Sequence, residues 1–166
     1  MIDNQTTQTK IPSKNDWGDI SDPDVYWSYN TFSGNAKSEF YENYYHGLVD
    51  IFESLSVMPD KVFAYYIFGL IDFLKSDHFK ASEKYSAAYH FLDLILRRVE
   101  ARSAVITDLY SAIKPTVDFV VENQFRFDAD EDIYGRFSDM ARIIEHHVER
   151  NSRENKNNSD IYGRSG

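Results

Sequence analysis

The chain has 166 residues, enough for one domain with a sizeable core and too few for two comfortable ones. Its 27 acidic and 18 basic residues give a formal net charge of -9, and a field of that sign repels nucleic acids and anionic membrane surfaces while it attracts basic partners. The absence of cysteine excludes disulfide bonds, thiolate catalysis and cysteine-based zinc sites.

The two ends of the chain differ in character from its middle. Polar sequence without periodicity predicts flexible segments at residues 1–15 and 151–166, on either side of one helical domain at residues 16–150. The N-terminus has no apolar stretch typical of a secretory signal, and the apolar run at residues 62–71 is shorter than the roughly 18 residues that suggest a membrane span. These features predict a soluble cytoplasmic protein that does not bind membranes.

The first predicted helices follow the N-terminal segment. Asp22 caps a short helix that has Pro23 in its first turn, and the large aromatic residues Trp27 and Phe32 are expected to cover one end of the bundle. A second helix is predicted from one apolar stripe at helical spacing. Its members are Phe40, Tyr44, Leu48, Ile51, Phe52 and Leu55.

The most apolar predicted helix covers residues 59–75. Pro59 suits its first turn, because the N–H that proline lacks has no partner there in any case. Apolar residues cover nearly all faces of this helix. We therefore expect it to be the central helix of the fold.

Three further helices complete the prediction. They cover residues 82–102, residues 106–120, where Pro115 must bend or restart the helix, and a segment that begins after Ser138. No stretch alternates in the manner of a strand. The predicted fold class is therefore all-α, a single compact bundle of about five to six helices with a central apolar helix near 59–75.

Acidic and aromatic residues are crowded together between Phe125 and Asp139. Carboxylates on aromatic surface suit contact with a basic macromolecule, and no nucleophile, phosphate-binding loop or soft metal ligand lies nearby in the sequence. The predicted partner-binding residues are Asp128, Asp130, Glu131, Asp132, Tyr134 and Asp139, with flanking contributions from Asp16 and Asp19.

The same segment partly matches a calcium-binding loop. Asp128, Asp130 and Asp132 have the spacing of the first ligands of an EF-hand, and Asp139 occupies the twelfth position. The sixth position carries Ile133, whereas calcium loops turn there on a glycine. The sequence therefore favours a solvated acidic loop or a partner surface over a calcium site.

Catalytic and zinc-binding motifs are not evident in the sequence. His146 and Glu149 share one face of the last helix, but zinc needs three or four ligands. The chain has no glycine-rich phosphate loop and no nucleophile motif. We predict a protein without metal, cofactor or enzymatic activity, and a small helical enzyme or metal-binding protein remains an alternative.

In general character, this small, cysteine-free, acidic and tyrosine-rich helical domain resembles the immunity proteins that neutralise bacterial toxins. These include the partners of contact-dependent growth-inhibition toxins and, more distantly, the helical immunity proteins of nuclease colicins. The residues that carry the resemblance are Asp128, Asp130, Glu131, Asp132 and Tyr134. The resemblance implies tight, stoichiometric binding over or beside the active site of a basic nuclease toxin.

Two other functions are compatible with the sequence. A phage-encoded nucleic-acid mimic that inhibits a defence nuclease is expected to spread its acids in rows at phosphate-like spacing, whereas the acids of this chain cluster. The second of these functions is that of a structural subunit. A nuclease must be positive to hold the phosphate backbone, and a carboxylate surface can occupy that site, which favours the immunity protein.

Overall fold

All regular structure in the described part of the chain is helical. The computed structural model describes residues 10–76, 78 and 80–162. The α-helices are α1 (Pro23–Phe32), α2 (Tyr41–His46), α3 (Leu48–Val57), α4 (Asp60–Ser76), α5 (Lys84–Glu100), α6 (Ala104–Glu122), α7 (Glu131–Tyr134) and α8 (Phe137–Tyr162). Short 3₁₀ helices cover Lys14–Trp17, Lys37–Phe40, Ala81–Glu83 and Gln124–Phe127. The predicted all-α class is confirmed.

The described residues contain eight α-helices, more than the predicted five to six. The additional helices are short, because α2 has six residues and α7 has four. A helix of one or two turns shows too few repeats for a period of 3.6 residues to be recognised. The predicted stripe from Phe40 to Leu55 is divided at Gly47 between α2 and α3.

Helix α4 corresponds to the apolar helix predicted near 59–75. Eleven of its seventeen residues are buried, and it packs against α6, α3 and the 3₁₀ helix at Lys37–Phe40. Gly69 lets the 3₁₀ helix at Lys37–Phe40 approach α4 closely, because a Cβ atom at this position would lie 2.7 Å from the backbone oxygen of Lys37. The hydroxyl of Tyr66 donates to the backbone oxygen of Phe32 at 2.6 Å, which ties α4 to the end of α1.

Two predicted helix features can be compared directly with the structure. The carboxylate of Asp22 accepts hydrogen bonds from the backbone N–H groups of Asp24 and Val25, so the predicted N-cap of α1 is present. Pro115 lies inside α6, which continues through it as one helix to Glu122. Pro115 therefore does not restart the helix.

Helices α5, α6 and α8 pack against one another, and α8 extends beyond its predicted end. The predicted boundary between residues 150 and 151 lies inside α8, and Asn151 is buried and donates to the backbone oxygen of Val99 at 2.8 Å. Polar composition alone does not end a helix when residues on one face pack against the body. Residues 163–166 lie outside the described residues.

The N-terminal segment contacts the domain closer to its start than predicted. Pro12 is buried, and Trp17 is buried edge-to-face against Tyr29, with ring centroids 5.4 Å apart. The predicted boundary between residues 15 and 16 therefore falls inside the 3₁₀ helix at Lys14–Trp17. The prediction for residues 1–9 concerns a part of the chain that lies outside the described residues.

The prediction for the two aromatic residues of α1 is right for one and wrong for the other. Phe32 is fully buried, but Trp27 is 65% exposed. Ser28 is the buried neighbour, and successive residues of a helix point about 100° apart, so Trp27 turns away from the core.

No helix in the described part of the chain is long and apolar enough to cross a membrane.

Arg98 joins the ends of three helices. Its guanidinium donates to the backbone oxygens of Leu55 and Met58, both at 2.7 Å, and so satisfies carbonyls at the C-terminal end of α3. It also pairs with Asp60 in the first turn of α4 at 3.1 Å and lies over the ring of Phe63. The C-terminal end of α5 is thereby fixed beside the start of α4.

Candidate protein-interaction site

The residues singled out in the sequence lie in a structured connection between α6 and α8. We call residues 124–139 the acidic loop. It begins with a 3₁₀ helix, turns at Asp128 with φ 54°, continues through α7 and turns again at Gly135 with φ 73°. Aspartate is one of the few non-glycine residues that adopt the left-handed conformation readily, so Asp128 also has a conformational role.

Gln124 holds the acidic loop together from within. Its side chain is buried, and its amide nitrogen donates to the backbone oxygens of Ala129 at 3.1 Å and Gly135 at 2.7 Å. Its amide oxygen accepts from the backbone N–H of Phe137 at 2.8 Å. One side chain therefore bonds the middle of the loop and the first residue of α8, and the loop has a defined shape.

Tyr134 fastens the loop to α5. Its ring stacks on that of Tyr85, with centroids 4.6 Å apart and planes inclined by 24°. Partial burial raises the pKa of Tyr134, and the neighbouring Tyr85 and Asp130 raise it further. The side chain is half-buried, so only part of the predicted anchor residue is open to a partner.

Three of the predicted acidic residues already have partners within the molecule, close to them in sequence. The carboxylate of Asp130 accepts from the backbone N–H of Asp132 and caps α7. Glu131 pairs with Arg136 at 3.1 Å. Asp139 pairs in the same way with Arg142 at 2.5 Å. These arginines reduce the negative field that the acidic residues alone suggest.

Asp128 and Asp132 are different, because their carboxylates have no hydrogen bond or ion pair with any described residue. Two apolar side chains of the loop also stand in solvent: Phe125 is 95% exposed and Ile133 is 72% exposed. A depression of about 610 Å³ lies beside Phe125. It is lined by Gln124, Phe125, Asp128, Ala129, Asp130, Glu131 and Asp132.

Asp16 and Asp19 have local structural roles. The carboxylate of Asp16 accepts from the N–H and the hydroxyl of Ser13 and pairs with Lys61. Hydrogen bonding from Lys61 and then from Ser13 lowers the pKa of Asp16 to about 2. Asp19 accepts from the backbone N–H of Ser21 at 2.9 Å, and this hydrogen bond lowers the pKa of Asp19.

The structure does not bring Asp16 to the acidic loop. Its partner Lys61 is next in sequence to Asp60, which pairs with Arg98 near the C-terminal end of α5, whereas the loop is stacked on Tyr85 at the N-terminal end. A helix rises 1.5 Å per residue, so Tyr85 and Arg98 are roughly 20 Å apart along α5. The predicted flanking contribution from Asp16 is therefore not supported by this placement, and that from Asp19 stays a prediction.

Three important residues of the loop were not recognised in the sequence as parts of a site. Gln124 carries no signal, because a single buried glutamine belongs to no periodic pattern. In the sequence, Phe125 contributes only to the aromatic composition of the segment, and Ile133 only opposes calcium binding. Apolar residues between acids would indicate a binding surface if they were known to be exposed, but exposure cannot be read from sequence alone.

The metal-binding alternative concerns His146 and Glu149 on α8 and the loop at Asp128. Within the described ranges, no group of three or more histidine, aspartate or glutamate side chains is placed to hold a metal ion. His147 is engaged from both ring nitrogens, since Nδ1 lies 2.9 Å from the guanidinium of Arg150 and Nε2 lies 3.9 Å from the carboxylate of Glu100. His146 and Glu149 are both exposed on α8.

Comparisons of the chain with protein-family models, with curated proteins and with solved structures give no match.

Proposed function

We propose that this chain is an immunity protein, which binds a basic bacterial toxin in a one-to-one complex and neutralises it without catalysis or cofactor. The proposed partner is a nuclease domain. The observation that carries the proposal is the exposed face of the acidic loop. There, the exposed Phe125 lines one depression with the unpaired carboxylates of Asp128 and Asp132. The exposed Ile133 follows Asp132 in α7, and Gln124 fixes the shape of the loop.

Exposed apolar groups on an ordered loop suit a protein partner. Phe125 gains nothing from the fold, because it is almost fully in water. Rigid aromatic groups surrounded by polar groups are typical of the residues that dominate protein interfaces. The fixed loop also lowers the entropic cost of association, because little of it has to be ordered on binding.

The acidic residues supply selectivity for a basic partner. A nuclease active site is positive, since it must hold phosphate groups. Asp128 and Asp132 have no partners among the described residues and are free to pair with lysine or arginine. Charges at the edge of an interface mainly raise the association rate, while apolar groups at its centre prolong the complex.

The experiment compares three forms of the chain as baits in an extract of the native host. The test variant carries Asp128→Asn, Asp130→Asn and Asp132→Asn, since asparagine is also a good N-cap and leaves α7 intact. The control variant removes the same number of charges at exposed positions on other elements, through Asp72→Asn, Glu100→Gln and Asp108→Asn. Retained proteins are identified by mass spectrometry, purified and tested for nuclease activity with and without the chain.

We expect one basic nuclease to be retained by the parent and the control and lost from the test variant as salt is raised. Its activity should fall to zero at one equivalent of the parent chain. Phe125→Ala should speed dissociation with little change in association rate. A partner that is acidic, that stays active in the complex, or that the test variant retains as well as the parent does would refute the proposal. A phage-operon context with several unrelated nucleases retained would favour the nucleic-acid mimic.

A further inference from the structure

A second surface of the molecule is centred on Trp27. This residue is 65% exposed on α1, which packs against α3 and is joined to it by a hydrogen bond of 3.0 Å from the hydroxyl of Ser28 to the backbone oxygen of Ser54. Two depressions, of about 610 Å³ and 450 Å³, meet at Trp27, and Asp50 and Ser54 line both. The indole thus lies in a groove and is accessible from two sides.

Unpaired carboxylates surround the indole. Asp24, Asp50 and Glu53 line the larger depression, and none of their carboxylates has a hydrogen bond or ion pair with a described residue. The basic group at that edge, Arg97, is paired with Asp93 at 2.8 Å. The groove therefore carries uncompensated negative charge.

The smaller depression adds one weakly paired acid. Glu42 lines it and lies 3.7 Å from Nε2 of His46, with both side chains largely exposed. This contact neutralises Glu42 only when His46 is protonated. The negative character of the groove thus extends to both sides of Trp27.

We propose that this groove, defined by Trp27, Asp24, Asp50 and Glu53, binds an arginine side chain from a segment of a partner protein. A guanidinium is planar and weakly hydrated, so it can stack on the indole face and still direct its N–H groups at carboxylates. Lysine presents a compact, strongly hydrated charge and lacks the planar fork. Charge complementarity and an exposed indole together select arginine as the occupant.

The groove is separate from the acidic loop, because the two share no lining residue. The inference therefore does not depend on the loop as the toxin-binding site. It predicts that a basic partner is recognised at two faces, or that the groove takes an arginine-bearing partner of its own.

The probe is an acetylated, amidated peptide with two arginines separated by glycines, compared with the same peptide carrying citrulline or lysine. Citrulline keeps the shape and hydrogen-bonding plane of arginine without its charge. In ¹⁵N-labelled protein the two tryptophans give two indole N–H resonances, and the buried Trp17 serves as an internal reference. Fluorescence anisotropy of labelled peptide measures affinity for variants that lack Trp27.

The arginine peptide should shift the Trp27 indole resonance saturably at micromolar to millimolar concentration and leave Trp17 unchanged. The lysine peptide should bind more weakly than the arginine peptide, and the citrulline peptide should not bind. Trp27→Ala and the pair Asp50→Asn with Glu53→Gln should each weaken binding about threefold to tenfold. The affinity of Trp27→Phe for the arginine peptide should lie between those of the parent and Trp27→Ala. The control pair Asp72→Asn with Asp108→Asn, at two exposed positions that line neither depression, should bind as the parent does.

Several results would overturn the inference. They are an unshifted Trp27 at millimolar peptide, an equal response to citrulline, or weakening by the control pair while Trp27→Ala binds normally. The melting temperature is measured on the same samples, so a variant that has unfolded is detected and is not mistaken for one that has lost binding. Trp27 is mostly exposed, so its truncation should leave that temperature nearly unchanged.

Discussion

The rings of Tyr134 and Tyr85 stack with their centroids 4.6 Å apart and thereby join the acidic loop to the N-terminal end of α5. Tyr134 ends the short helix α7, which is capped by Asp130. The position of the carboxylates in α7 therefore depends on an aromatic contact with a helix about fifty residues earlier in the chain. A residue predicted to contact a partner has a structural role as well.

The stacking makes a prediction for a double-mutant cycle. Tyr134→Ala and Tyr85→Ala should each lower the free energy of unfolding, and the two effects should fall short of additivity by about 0.5–1.5 kcal/mol, the usual coupling of an aromatic pair. Urea denaturation of the four proteins measures this coupling. Tyr134→Phe is the control, because it keeps the ring and should stay close to the parent. If the two losses of unfolding free energy were strictly additive, the stacking contact would not contribute to stability.

Gln124 gives a second prediction. Gln124→Ala removes three hydrogen bonds and leaves the backbone N–H of the buried Phe137 without its acceptor. An orphaned buried group costs about 1–3 kcal/mol, so stability should fall by at least that amount. Gln124→Glu keeps the acceptor but loses both donors, and it should also be destabilising.

Hydrogen exchange localises the effect of these Gln124 variants. Amides between Ala129 and Phe137 should exchange faster in Gln124→Ala, whereas those in the middle of α4 should not. A variant with parental stability and parental exchange in the loop would show that Gln124 does not hold the loop.

Gly69 gives a third prediction, in which two effects oppose each other. Alanine is favoured over glycine inside a helix by about 1 kcal/mol. The new Cβ atom, however, would lie 2.7 Å from the backbone oxygen of Lys37 and 3.2 Å from the hydroxyl of Tyr44. Backbone cannot move aside as easily as a flexible side chain, so we expect Gly69→Ala to destabilise by about 1–3 kcal/mol. A raised melting temperature would contradict this close packing.

Asp16 gives a prediction for acid pH. Its pKa is lowered from 3.8 to about 2 in the folded protein by hydrogen bonds from Lys61 and Ser13. A group with a depressed folded pKa stabilises the fold above its unfolded pKa, and this contribution is lost as pH falls through the folded value. Asp16→Asn should therefore be less stable than the parent near pH 5, and the difference should shrink between pH 4 and pH 2.

Urea denaturation of the parent and Asp16→Asn at a series of pH values measures this convergence. Asp108→Asn is the control, because Asp108 is exposed on α6 and its carboxylate has no hydrogen bond or ion pair with a described residue. A gap between the parent and Asp16→Asn that stayed constant down to pH 2 would mean that the Lys61 contact does not stabilise the fold.

The pattern of residues along the chain is sufficient to predict the fold class and several local features. Apolar residues with a period near 3.6 can bury one face only as helices, and this requirement holds whatever the helices pack against. Local chemistry also identified the cap at Asp22, since an aspartate can bond backbone N–H groups two and three residues ahead without help from elsewhere in the chain. The acidic and aromatic composition of residues 125–139 was visible for the same reason.

Which of these residues are available to a partner depends on how the helices pack. Asp16 is paired with Lys61, which is 45 residues later in the chain, so this contact does not follow from local spacing. Trp27 is exposed and Phe32 is buried although both are large and apolar, since the direction of a side chain on α1 matters only once α3 is packed against it. Exposure and pairing depend on residues distant in sequence, so they are fixed only when the helices assemble.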